Sequence, residues 1–155
     1  MISNPADVEQ LRLARERVLE RIASAAQRVG RDPAEVTIVA VSKTVPAARL
    51  RAALAAGLRI FGENRVQEAE AKVPELPGAT WHLVGPLQSN KVRRALDLFE
   101  TIETVHSAEL AGRLDGLLAA GPGGAKRAVL LQVNVDRDEA KSGFLPDDLA
   151  RAVES

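Results

Sequence analysis

Two kinds of hydrophobic pattern alternate along this chain. Apolar residues spaced by three, four and seven mark helices, and short unbroken apolar runs between turn residues mark strands. Val8, Leu11, Val18, Ile22 and Val29 predict a long first helix, with Asn4 as its cap, Pro5 in its first turn and Gly30 at its end. Asp32-Pro33 restarts the chain, and VTIVAVS at 36–42 predicts a buried parallel strand. The units then repeat. PAARLRAALAAG (46–57) is a helix with Leu50 and Leu54 on one face and Gly57 as its stop, and LRIFG (58–62) is a second strand. ENRVQEAEAKV (63–73) is helical, TWHLVG (80–85) a third strand, SNKVRRALDLF (89–99) helical and TIETV (101–105) a fourth strand. Ser107 caps a helix that runs to Gly121, a GPGG loop follows at 121–124, RAVLLQVNV (127–135) is a fifth strand, and LPDDLARAVES (145–155) opens another helix.

Strand starts recur at roughly 20 to 26 residues with a helix in every gap, the signature of successive right-handed βαβ units and a parallel sheet. An open doubly wound sheet and a β/α barrel both produce this order. Five strands complete the first at this length, whereas the second has eight strands and about 250 residues. Both architectures gather functional groups at the C-terminal ends of their strands, so the chemistry is sought there.

Composition narrows the field. The 155 residues are 46% hydrophobic and 27% charged, as expected of a soluble globular protein with one sizeable core. The charged N-terminus and the lack of any apolar stretch near the roughly 20 residues of a membrane span predict a cytoplasmic protein. Absence of cysteine removes disulfides, thiolate nucleophiles and sulfur-ligated metals, and two histidines are too few for most histidine-rich metal sites. A formal net charge of zero leaves no electrostatic footprint for nucleic acid.

The predicted strand ends carry a concentrated set of polar residues: Ser42-Lys43-Thr44, Gly62-Glu63-Asn64, Gly85-Pro86-Leu87-Gln88, His106-Ser107, and Asn134 with Lys141-Ser142-Gly143 beyond it. Taken singly, each has a structural explanation: Gly62 and Gly85 as turn formers, Ser107 as a cap, Asn134 as a satisfied amide. Lys43 stands out. The chain has five lysines (Lys43, Lys72, Lys91, Lys126, Lys141) against sixteen arginines, so arginine is its default cation. Arginine cannot lose its proton or condense with a carbonyl, whereas a lysine desolvated at the end of an apolar strand is an amine nucleophile. An amine that attacks an aldehyde suits pyridoxal phosphate (PLP). Read by position alone, Lys43 is equally well a snorkelling lysine with its stem on the sheet.

AVSKT, FGENRVQEA, WHLVGPLQSNK and LLQVNVDRDEAKSGF, in that order and at these separations, closely resemble the YggS/PROSC family of pyridoxal phosphate homeostasis proteins. The resemblance covers the chain from about Val36 onward. It implies a β/α (TIM-type) barrel of the alanine racemase type, here truncated after about five of eight strands. It further implies one β/α domain over 1–155, with 1–35 as an N-terminal helix and connector. By this match Lys43 holds the cofactor PLP as a reversible imine, Asn64 lies near its ring, and Lys141 in the KSG motif handles the cofactor. Arg65 stands where the family often has tyrosine. The family is known as a binder without robust catalysis, which keeps free PLP low and hands it on, with PLP-dependent apo-enzymes as the candidate recipients. Its phosphate cradle lies in the last third of the barrel, so the 155-residue chain is expected to bind PLP weakly and to have exposed edges at its first and fifth strands.

Alternatives carry less weight. A racemase-like PLP enzyme needs an acid/base on each face of the substrate α-carbon, and the related racemases use a tyrosine opposite the lysine. This chain has no tyrosine, and His82 and His106 are better read as packing or strand-end histidines. A truncated barrel that has lost PLP binding is another reading, as is an unrelated α/β module with Lys43 on its surface. In that last case Lys91, Arg93 and Arg94 point toward nucleic acid, but Asp97 and Glu100 beside them mark a solvated helix face.

Overall fold

The computed structural model describes residues 4–121 and 126–154, and its elements follow the predicted order. Helix α1 (Pro5–Gln27) begins where Asn4 Oδ1 accepts the Ala6 N–H at 3.1 Å, which satisfies one of the donors that a helix start leaves unpaired. Asp32 caps a short 3₁₀ turn at Pro33–Glu35. Strands β1 (Ala40–Val41), β2 (Ile60–Glu63), β3 (Thr80–Leu83), β4 (Thr101–Val105) and β5 (Ala128–Leu131) then alternate with helices α2 (Ala47–Ala55), α3 (Val66–Lys72), α4 (Val92–Leu98) and α5 (Ala108–Ala119). Helix α6 (Leu149–Glu154) follows β5. Ser107 caps α5 as expected, its hydroxyl accepting the Leu110 N–H at 3.2 Å. The loop expected at 121–124 lies, from residue 122 on, outside the described residues.

Strand order separates the two architectures. All pairings are parallel and the order is β1-β2-β3-β4-β5, without the reversal that defines a doubly wound sheet. Sequential right-handed crossovers place successive helices on one side of a sheet that curls toward a barrel. The core is correspondingly one-sided. Phe61, Trp81, Leu83 and Ile102 from the strands pack with Leu50, Val66, Ala69, Val92, Phe99 and Leu114 from the helices. Phe61 and Trp81 meet with ring centroids 5.5 Å apart. Phe61, Leu83 and Ile102 are fully buried, a burial of about 1.5–3 kcal/mol for each side chain relative to exposure.

Two expectations need correction. VTIVAVS is not a buried strand: only Ala40 and Val41 join the ladder, and Val41 is 55% exposed. The cause is its place at the sheet edge, where it pairs with β2 alone and only Ala40 reaches the helix-side core. β5 is likewise an edge: it is four residues long, and Leu130 is 54% exposed. An apolar run reads the same in sequence at an edge as at the centre. The expected helices 63–73 and 89–99 also shorten, since Glu63 completes β2, Arg65 is extended, and Ser89–Lys91 forms a 3₁₀ turn.

Candidate functional site

Register fixes what shares the face away from the helices. Val41, Gly62 and His82 pair across β1, β2 and β3 and form one row. Side chains two residues further along a strand return to the same face. Asn64 and Val84 therefore follow that row at the ends of β2 and β3, and Lys43, two residues past Val41, opens a turn in which the Val45 N–H donates to Ser42 O at 3.0 Å. Ladder bonds reach this far, with Ser42 N–H donating to Gly62 O at 2.8 Å and Val84 N–H to Glu63 O at 2.9 Å.

Gly62 sits inside β2 rather than in a turn, which corrects its reading as a turn former. A Cβ there would stand 3.0 Å from Val84 Cγ1 and 3.2 Å from Val39 Cγ1, so Val39, Gly62 and Val84 make a continuous apolar patch on this face. Gly85 follows the same logic more severely: a Cβ would lie 2.2 Å from Asn64 O. Only glycine lets the turn after β3 close on the Asn64 backbone.

Lys43 is exposed, and among the described residues its amine has no hydrogen bond or ion pair. The expected desolvation is therefore absent, because β1 is an edge strand with no neighbour on that side. The peptide groups around Lys43, by contrast, are held by side chains. Lys72 Nζ donates to Ser42 O at 2.9 Å, and the Thr44 N–H donates to Glu68 Oε2 at 3.1 Å. Lys72 also donates to Glu63 Oε1 at 2.7 Å, and Ser42 Oγ donates to that same oxygen at 2.7 Å. Glu63 is fully buried and the Lys72 side chain is 11% exposed. The Thr44 N–H, followed by the neighbouring Glu63 carboxyl and then by the charges of Lys72 and Arg65, holds the Glu68 carboxyl below its ordinary value against the opposing effect of burial.

Sequence reasoning singled out Lys43 and Asn64, which follow the paired ends of the adjacent strands β1 and β2. It missed Glu63, Glu68 and Lys72 beneath them. Signals were available: Lys72 is one of the chain's few lysines, and Glu68 and Lys72 are spaced i, i+4 on α3. Beside this cluster a groove of about 1010 Å³ runs past Thr44, Asn64, Arg65, Gln88 and Lys91.

Lys141 is not brought to Lys43. It lies past β5, at the other edge of the sheet, and its exposed ammonium pairs with Asp136 at 2.6 Å and Asp138 at 3.8 Å. The loop that carries it is organised by Asn134, whose side chain donates to Asp138 O at 2.8 Å and Lys141 O at 3.3 Å. This loop and the ends of β3 and β4 enclose a hollow of about 710 Å³ lined by Val84, Thr104, His106, Asn134 and Lys141. The two histidines are both engaged. His82 Nδ1 lies 2.7 Å from Glu103 Oε1, and His106 Nδ1 donates to Thr104 O at 3.3 Å. Arg94 of the basic cluster pairs with Glu70 at 2.6 Å and Asp97 at 3.6 Å on an exposed helix face.

A parallel sheet in sequential order defines a barrel-type β/α domain, a class that gathers its functional groups at the C-terminal strand ends. The chain belongs to the alanine racemase N-terminal domain family, whose sequence model matches residues 14–155. It is 46% identical over 142 residues to a Pseudomonas aeruginosa protein named pyridoxal phosphate homeostasis protein, covering 90% of this chain and 60% of that one. PipY of Synechococcus elongatus, solved with PLP bound, is 45% identical with a TM-score of 0.68 over 88% of this chain and 62% of PipY. A crystal structure described as an unknown protein from Bifidobacterium adolescentis is 34% identical, with a TM-score of 0.86 over 99% of this chain and 66% of that one. The chain thus spans about 60% of the length of the curated relatives it matches.

Proposed function

We propose that this chain carries the lysine half of a PLP-binding site and serves a protein that holds PLP reversibly and hands it to PLP-dependent apo-enzymes. The observation that carries this reading is the Lys43 amine, exposed and unpartnered among the described residues just past the C-terminal end of β1; Lys72 and Lys141 are ion-paired, and Lys91 and Lys126, which also lack a partner there, follow no strand end. The surroundings fit the group. An amine, the Asn64 amide and the apolar patch of Val39, Gly62 and Val84 form a donor set suited to an aldehyde on a planar aromatic ring. When bound, PLP supplies an aldehyde that condenses with a primary amine, losing water. Lys43 supplies that amine, Asn64 orients the ring, and Lys141 presents a second cation on the far rim of the same face.

A carrier fits better than a racemase. Racemisation needs a proton donor facing the lysine across the substrate. These 155 residues contain no tyrosine, the residue type that the related racemases place opposite the lysine. No helix among the described residues is long and apolar enough to cross a membrane.

The test is to mix the protein with PLP, look for a yellow absorbance band, trap the adduct with borohydride and map it. The expected result is a band and a mass increase on the Lys43 peptide, both lost in Lys43→Ala. A band of equal strength in that variant would overturn the assignment, and racemisation of an added amino acid would replace the carrier by an enzyme.

A further inference from the structure

We propose that Glu68 and Lys72 are positioning residues for Lys43, gripping the two peptide groups that flank it and so setting the direction in which its amine leaves the sheet. The purpose of that amine rests on the reading above; the grip itself does not.

The two peptide planes on either side of a residue determine where its side chain points. Before Lys43, the Ser42 carbonyl accepts from Lys72 Nζ at 2.9 Å; after it, the Thr44 N–H donates to Glu68 Oε2 at 3.1 Å. Both gripping side chains come from one face of α3, four residues apart. The turn they hold needs holding. Thr44 has φ of +63°, and a β-branched residue in the left-handed region is an outlier that persists only where its surroundings fix it. The grip is in turn anchored to β2. Glu63, fully buried, binds Lys72 at 2.7 Å and takes the Ser42 hydroxyl at 2.7 Å. Glu63 directly precedes Asn64, so the direction of Lys43 is keyed to the strand end that carries the neighbouring amide.

Stability alone does not call for this arrangement, since a well-packed apolar pair commonly replaces a buried ion pair without loss. Glu63 Oε2 even lacks a partner among the described residues. Retaining two buried charges beneath an exposed lysine makes sense if the geometry of that lysine matters, because small misplacements of a reacting group slow its reaction steeply.

The test compares wild type, Glu68→Ala, Glu68→Gln and Lys72→Met in two measurements: amide exchange at Thr44, and the rate at which excess PLP modifies Lys43 relative to Lys91 and Lys126, trapped with borohydride and read by peptide mass spectrometry. Glu68→Ala is expected to strip protection from Thr44 and to slow Lys43 about fivefold, the weight of one hydrogen bond, while the reference lysines hold their rates. Glu68→Gln keeps an acceptor and is expected to restore both. If Thr44 loses protection in Glu68→Ala while Lys43 reacts at its wild-type relative rate, the proposal is overturned. Should Lys72→Met fail to fold, the Glu68 pair decides. If wild-type Lys43 reacts with PLP no faster than Lys91 and Lys126, the cofactor reading fails, and the same peptides are then followed with acetic anhydride. An unchanged relative rate of Lys43 acetylation in Glu68→Ala then overturns the grip, and a changed rate upholds it.

Discussion

Each edge strand of the sheet is followed by a lysine, Lys43 after β1 and Lys141 in the loop beyond β5, and the two are treated in opposite ways. At β1 the backbone is held by side chains from another element, α3, and the amine of Lys43 has no hydrogen bond or ion pair among the described residues. At β5 the loop is held by its own Asn134, and the amine of Lys141 is tied to Asp136. A lysine kept for its charge is best paired, whereas one kept for its nucleophilic nitrogen needs a fixed base and an unclaimed tip. The contrast can be broken by experiment at several strengths. Largest is the PLP adduct itself: Lys43→Ala is expected to abolish the trapped adduct, and Lys141→Ala to leave it in place. An adduct that disappears only with Lys141→Ala would reverse the roles of the two edges.

Next in size is the buried Glu63–Lys72 pair, which among the described residues only the β1 side possesses. Lys72→Met leaves Glu63 buried without its counter-charge, and a loss of about 3–5 kcal/mol in urea unfolding is expected. Replacing both partners, Glu63→Leu with Lys72→Met, is expected to recover most of that loss. A double variant as unstable as the single one would show that shape rather than charge compensation governs the site. Smaller is Gly85→Ala, whose new Cβ collides with the Asn64 backbone; overpacking of about 1–3 kcal/mol is expected, together with a weaker Lys43 adduct. A destabilised variant with an unaltered adduct would remove Asn64 from the site.

The order of elements was legible because each depends on local signals: Asn4 and Ser107 as caps, and apolar periods that switch between strand and helix. Lys43 was legible through scarcity, as a lysine where the chain elsewhere writes arginine. What sequence could not supply was environment. VTIVAVS reads as buried, yet Val41 is exposed, because burial of a strand is decided by neighbours on both sides and β1 has one. Expected desolvation of Lys43 failed for the same reason. The hold on its backbone was hidden by distance, since Lys72 meets Glu63 across 9 residues and Ser42 across 30. No local pattern announces that a helix and a strand end will share a carboxylate.

The smallest effect is a pH dependence confined to the β1 side. Glu68 has its carboxyl held below the ordinary value of 4.5 mainly by the Thr44 N–H. A carboxylate whose folded value is depressed contributes stability that is complete above its unfolded value and is lost as pH falls through the folded one. Protection of the Thr44 amide should accordingly be constant from neutral pH down to the ordinary carboxylate range and should decline only below it. The side chain is 28% exposed, so solvent and salt soften the effect, and raising ionic strength should shrink it. Glu68→Gln, which accepts the same bond without titrating, should flatten the decline, while amides of the Asn134 loop should follow the same course in both proteins. If Thr44 and the Asn134 loop lose protection together and Glu68→Gln changes neither, the acid sensitivity belongs to the whole domain and the two edges differ in geometry alone.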